Sequence, residues 1–176
     1  MSTVPNHQLI PLRGKKPELA NEVFLAANAF LIGDVQVGEK SSIWFNVTIR
    51  GDVMPIRIGK EVNVQDGSVI HGTYGQCGTI IHDRATIGHL VMLHGCEIGR
   101  CSLIGMGSII MDRAKIGEYS LVGAGSLVTE GSEFPPRSLI VGRPAKVKRS
   151  LTDEEVQLLE KSADNYLLYQ SWYKEE

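Results

Sequence analysis

The sequence predicts a mainly β chain, a stack of short strands and turns closed by one C-terminal α-helix. Two observations carry the stack. From Met92, aliphatic residues recur every six positions, as Met92, Ile98, Ile104, Ile110, Ile116, Val122 and Val128. Four residues after each of the first six stands a small side chain: Cys96, Ser102, Ser108, Ala114, Ser120 and Ser126. A six-residue period fits neither a 3.6-residue helix nor a plain alternating strand. It suits a short strand plus a turn, with one large and one small side chain inward and with Gly99, Gly105, Gly117 and Gly123 relieving the corners. A third observation carries the helix. Thr152-Asp153-Glu154-Glu155 is a capping box, and it opens a run in which Leu151, Val156, Leu159, Ala163, Tyr166, Leu167, Gln170 and Tyr173 recur at helical spacing.

Taken in order, residues 1–20 show no strong period and read as an extended lead-in. The repeat occupies 21–148 in shifted registers. Leu25, Leu31, Val37, Ile43 and Ile49 form one set, Ile58, Val64 and Ile70 a second, and Ile81 with Ile87 a third. Three slips join them: three extra residues between Ile49 and Ile58, five extra between Ile70 and Ile81, and one missing before Met92. Loops absorb such slips, and loops carry function more often than coils do. The pattern [Ile/Leu/Val]-Gly-x-x-[Ser/Ala]-x resembles the hexapeptide repeat of left-handed parallel β-helices over about residues 21–146. That resemblance implies three hexapeptides per triangular coil and a left-handed crossover, against the usual preference of parallel connections. Residues 149–176 hold the helix, which is expected to lie on a coil face or on a neighbouring subunit. The whole reads as a single domain.

Composition narrows the function classes. Eighteen Lys and Arg against 20 Asp and Glu leave a formal net charge of -2, so no cationic field marks a nucleic-acid or membrane-surface partner. No apolar run reaches the ~18 residues of a membrane span. Met1 to Pro11 lacks a basic segment followed by an apolar stretch, so no secretory signal is expected. Cys77, Cys96 and Cys101 form no CxxC pair and no even framework, which reads as reduced thiols in a cytoplasmic protein.

The chain has five histidines: His7, His71, His82, His89 and His94. The repeat register makes three of them notable. Counting one hexapeptide per side of a triangle places His94 one coil above His71 and Arg50 one coil below it. The same count places Gln65 one coil below His89, on a different face. Within one subunit the two polar columns point apart, and they converge only where two prisms pack side by side. A three-His site must therefore lie between subunits, and cyclic packing of a triangular prism points to a trimer. Three imidazoles with an open position form the ligand set of catalytic zinc, and also suit iron or cobalt. Such an ion lowers the pKa of bound water to about 7.

Arg50-Gly51-Asp52, Asn63-Val64-Gln65-Asp66, His71, His89 and His94 resemble, in order and spacing, the gamma-class carbonic anhydrases, and specifically their compact bacterial type. The resemblance implies His71, His89 and His94 as ligands of Zn2+ (or Fe2+ or Co2+) and hydration of CO2 to bicarbonate by metal-bound hydroxide. It implies Arg50 and Asp52 as an intersubunit ion pair and Gln65 as a hydrogen-bond partner of the hydroxide. Asn63 would position CO2, Asp66 would bond near Arg50, and Tyr166 would match a tyrosine brought towards the metal. No separate cofactor site is implied. As residues alone, Arg50 and Asp52 also read as a surface pair, Asn63 and Asp66 as turn formers, and Tyr166 as core.

The chain departs from the efficient members of that family at two places. Val53 stands where they carry a glutamate, and the loop Thr73-Tyr74-Gly75-Gln76-Cys77-Gly78-Thr79 has no acid. Hydration must shed a proton, so turnover is expected to be slow unless another group carries it. Two other readings stay open: a hexapeptide acyltransferase using acyl-CoA, for which Val141-Gly142-Arg143-Pro144-Ala145-Lys146 resembles the last coil, and a non-catalytic metal-binding trimeric scaffold.

Overall fold

The computed structural model describes residues 8–173; His7, the start of the lead-in and residues 174–176 lie outside them. The fold is a parallel β-solenoid. Ile98 pairs with Ile116, Ile104 with Val122 and Ile110 with Val128, so three hexapeptides close each coil.

The strands form three faces of a triangular prism. The first face holds Leu9–Ile10, the leading halves of Phe30–Val37 and Thr48–Ile58, then Val69–His71, Met92–His94, Ile109–Ile110 and Leu127–Val128. The second holds Glu18–Leu19, the trailing halves of the same two long strands, then Thr79–Ile81, Glu97–Ile98, Lys115–Ile116 and Glu133–Phe134. The third runs from Phe24–Leu25 through Ser42–Ile43, Asn63–Val64, Thr86–Ile87, Leu103–Ile104 and Leu121–Val122 to Ser138–Gly142. Ala145–Ser150 then folds back antiparallel on the last of these. Strand pairing begins ahead of residue 21, because Leu9–Ile10 and Glu18–Leu19 both pair with Phe30–Val37.

The inward columns are aliphatic. Leu31, Ile49, Ile70, Leu93, Ile110 and Val128 stack behind the first face, and Ile43, Val64, Ile87, Ile104, Val122 and Ile140 behind the third, all fully buried. Each such side chain contributes about 1.5–3 kcal/mol on leaving water. The small-residue column has its own chemistry. Ser102 Oγ donates to Gly117 O (2.9 Å) and accepts from Ser120 N (3.0 Å), and Ser68 makes the same pair of bonds to Gly88 O and Val91 N (2.9 and 3.1 Å). A buried hydroxyl must find partners; here it ties each coil to the next.

Two expectations about the repeat are corrected. The glycines that follow the aliphatics do not relieve the corners. A Cβ at Gly99 would lie 2.4 Å from Glu118 N, and one at Gly105 2.5 Å from Ala124 N, so these glycines permit close coil stacking. Left-handed φ falls two residues later, at Cys101, Gly107, Arg113, Tyr119, Gly125 and Gly131. The second correction concerns phase. Leu93, not Met92, is the inward residue, paired with Ile70 below and Ile110 above. The short step therefore falls between Leu93 and Ile98. All three slips then occupy one corner of the prism, where the first face turns into the second.

The helix spans Asp153–Trp172 and starts as expected: Thr152 Oγ1 accepts from Glu155 N, and Glu155 Oε2 accepts from Thr152 N. It lies along the third face of its own chain, burying Leu159 and Ala163, with Leu151 and Leu159 packed on Cys101, Leu103 and Leu121. Arg84 clamps it, donating to Asp164 Oδ1 (2.7 Å) and Glu61 Oε2 (2.5 Å). Among the described residues no helix is long and apolar enough to cross a membrane.

Candidate metal centre

The irregular corner assembles the first part of the site. The three extra residues after Ile49 bulge out at Asp52–Pro55, since Gly33 pairs with Gly51 but Val35 with Ile56. The five extra after Ile70 form a loop pinned by a bridge between Thr73 and Cys77. Arg50, His71 and His94 end the first-face strands beside these two loops, and His94 pairs directly with His71.

The two imidazoles meet. His71 Nδ1 and His94 Nε2 lie 3.3 Å apart, and each ring's other nitrogen faces a carboxylate. His71 Nε2–H donates to Asp52 Oδ1 (2.8 Å), and His94 Nδ1–H donates to Asp112 Oδ1 (2.5 Å). A carboxylate only accepts, so neutral rings protonated towards Asp52 and Asp112 leave two lone pairs facing each other. A proton on one ring or a metal cation between the two nitrogens would satisfy both. Two nitrogens at 2.0–2.1 Å from a tetrahedral zinc lie about 3.3–3.4 Å apart, so the observed spacing fits that ion. Carboxylate–histidine pairs of this kind are the usual support of metal-binding histidines.

Arg50 Nη1 lies 3.5 Å from Asp52 Oδ2, and Arg50 Nη2 lies 3.1 Å from His71 Nε2. Burial raises the Asp52 pKa, but the His71 hydrogen bond and the Arg50 charge outweigh it and hold the carboxyl below its ordinary value. Burial likewise pushes Asp112 up, and its bonds with Thr73 and His94 bring it net below the ordinary value. Both are carboxylates at neutral pH.

His89 stands elsewhere, at the corner where the third face turns into the first. Its Nδ1 pairs with Asp66 Oδ2 at 2.9 Å, leaving Nε2 outward. The register corrects one expectation: Val64 pairs with Ile87, so Asp66, not Gln65, lies under His89. Among the described residues no three His, Cys, Asp or Glu side chains of the single chain group to hold a metal. Within one chain Asp66 also accepts from Phe45 N (3.3 Å) and pairs with His89 rather than with Arg50.

Asn63 and Gln65 are buried on the third face. Gln65 Nε2 donates to Asn63 Oδ1 (3.0 Å), and Asn63 Nδ2 donates to Thr86 Oγ1 (2.9 Å). Tyr166 descends from the helix and meets Trp44 edge-on, ring centroids 5.5 Å apart. Burial first, then the charge of nearby Asp66, pushes its phenol up to about 12. It is a protonated donor at neutral pH. Asp112 and Thr73 escaped the sequence reading. The register hid Asp112: Leu93 pairs with Ile110, so Asp112 falls one residue past the position over His94.

Comparison with known proteins decides the family. The chain is 46% identical over 166 residues to the carbonic anhydrase of Geobacillus kaustophilus, spanning 94% of this chain and 91% of that one. The chain belongs to the gamma-class carbonic anhydrase-like family of hexapeptide-repeat proteins. The signature described as bacterial transferase hexapeptide (six repeats) matches residues 95–130. A relative named gamma carbonic anhydrase 2, mitochondrial, from Arabidopsis thaliana is 38% identical over 158 residues, 87% of this chain but 57% of its own length. A solved structure titled as a hexapeptide transferase family protein from Anaplasma phagocytophilum superposes with a TM-score of 0.90 at 43% identity, covering 94% of this chain and 97% of that one. Membership in this family of carbonic anhydrase-named enzymes implies a metal cofactor in general terms and a small-molecule substrate.

Proposed function

We propose that this chain is a carbonic anhydrase that hydrates CO2 to bicarbonate at a three-histidine zinc-type centre completed between subunits of a homotrimer. One observation carries the reading: each of His71, His89 and His94 has one ring nitrogen held by its own aspartate, and two of the free nitrogens stand 3.3 Å apart. These nitrogens would hold zinc, or alternatively Fe2+ or Co2+, and such an ion would supply the Lewis acidity that makes hydroxide available at neutral pH.

The chain's own residues do the rest. His71 and His94 present two nitrogens from one prism edge, and His89 of a neighbouring copy presents the third. Asp52, Asp66 and Asp112 each hold one ring nitrogen and so aim the other. Arg50 balances Asp52 and reaches towards the next subunit. Gln65 is fixed through its Nε2 on Asn63, which leaves Oε1 to accept a hydrogen bond from the attacking water and turn its lone pair towards carbon. Asn63 keeps a second N–H for an oxygen of CO2. Tyr166, protonated and next to Asp66, closes the site with its ring and offers a donor.

Hydration releases a proton, and neither Val53 nor the loop 73–79 offers an acid to carry it, which supports slow turnover. The test is metal content per chain together with stopped-flow CO2 hydration on one preparation. About one metal per chain, with metal and hydration both lost in His71→Ala, supports the reading. Metal without hydration would favour the scaffold, and acyl-CoA binding without metal would favour acyl transfer.

A further inference from the structure

The loop after His71 lacks an acid, yet an acid is present at that place. It comes from the coil above. Asp112 follows the strand Ile109–Ile110, and its two oxygens are both engaged: Oδ1 accepts from His94 Nδ1 (2.5 Å) and Oδ2 from the hydroxyl of Thr73. Thr73 belongs to the loop that its bridge with Cys77 pins in place, and its side chain reaches across the site to the next coil. The Cys77 side chain also helps to hold the Asp112 carboxyl below its ordinary value.

The closeness of this arrangement is written into the backbone. Gly95, next to His94, has φ +58°. A Cβ there would lie 2.5 Å from Cys77 Sγ and 2.7 Å from Asp112 Oδ1. Gly95 leaves the room that Asp112 and Cys77 occupy. The exposure of the Asp112 side chain is 18%, so its bonds form out of bulk water, where a charge-assisted hydrogen bond is strong.

We propose that Asp112, anchored by Thr73, is a positioning residue that fixes the tautomer and direction of His94 so that its Nε2 meets the metal opposite His71. The inference rests on the three-histidine reading. Asp112 accepts the hydrogen bond of Nδ1–H, which keeps Nε2 as the lone pair. Thr73 holds the second oxygen and stops the carboxylate from turning away. The loop after His71 thereby bears on the centre through a hydroxyl rather than an acid of its own. Asp112 itself touches neither metal nor substrate.

Chelator competition on the zinc-loaded full-length protein tests this. Asp112→Ala should weaken zinc binding 10- to 100-fold, the usual cost of losing such a partner. Thr73→Val, which removes a hydroxyl and keeps the shape, should weaken it several-fold. Asp112→Asn, which retains an oxygen acceptor without charge, should fall between Asp112→Ala and the parent. A purely structural role would lower the melting temperature of the metal-free protein without altering the site. The visible bands of the Co2+-loaded protein should shift in Asp112→Ala while that melting temperature stays put. His94→Ala serves as the reference. If it loses zinc while Asp112→Ala and Thr73→Val bind within twofold of the parent, the positioning role is overturned and the three-histidine site stands. If His94→Ala keeps full zinc affinity, both readings fall together. Should Asp112→Ala not fold, the Thr73→Val result decides alone.

Discussion

At the scale of single residues, pairing accounts for the site. A carboxylate on one ring nitrogen aims the other; His82 has such a partner in Glu97 as well, and what sets His71 and His94 apart is that their remaining nitrogens face each other. His71, His89 and His94 each have such a partner, in Asp52, Asp66 and Asp112 respectively, each in an adjacent coil. The sequence shows the histidines because they repeat in register, and it shows Asp52 and Asp66 because they sit in short motifs. Asp112 sits in no motif. Its partner is three hexapeptides away, and only the stacked coil brings the two together. Tyr166 makes the opposite case, since its place on the apolar stripe leaves core and site open. With its phenol raised to about 12, it is a donor at working pH. Tyr166→Phe should keep metal content and fold, and lower hydration about fivefold, the worth of about 1 kcal/mol of hydrogen bonding. Stopped-flow rates beside metal analysis would check it.

At the scale of elements, the period is legible and its phase is not. Met92 and Leu93 are both aliphatic, so the chain alone allows the short step on either side of them. Burial decides: Leu93 faces the core and Met92 the outer surface. Leu93→Ala should cost about 2–5 kcal/mol and Met92→Ala clearly less, by denaturant unfolding. The consequence is functional. With Leu93 inward, His94 aligns with His71, and every slip of the repeat falls at the corner that carries them. The helix start was readable because a cap is local chemistry. Thr152→Ala should remove about 1 kcal/mol. Its partner Glu155 bonds Arg149 through both carboxylate oxygens (2.7 Å each), which lowers its pKa from 4.5 to about 2. A folded-state pKa below the unfolded one means a contribution fully present above pH 4.5 and lost as the pH falls through 2. Helical circular dichroism should therefore decline over that window, and Glu155→Gln should flatten the decline.

At the scale of the whole molecule, the proposed reading makes one chain an incomplete site. His71 with His94 and His89 with Asp66 mark two edges of the same face, and a prism cannot fold its edges together. Beside His89 stand Leu90, 71% exposed, and Met106 of the coil above, 59% exposed. Apolar side chains left in water next to an unfinished ligand set are what an interface would cover. Leu90→Glu should shift the protein to monomers in sedimentation and empty the metal centre, while the β-helix remains folded by circular dichroism.

The proposed shared centre has a direct test in mixed trimers. His71→Ala and His89→Ala chains, each alone, should bind no metal. In a trimer holding both, an interface is intact where the His89→Ala chain offers its His71 and His94 to a His71→Ala chain offering His89. Random assembly of equal amounts makes that arrangement at about one interface in four. Co-expression of the two variants should therefore restore about a quarter of a metal per chain, with hydration activity in proportion. A mixed preparation as empty as its parents would contradict the shared site.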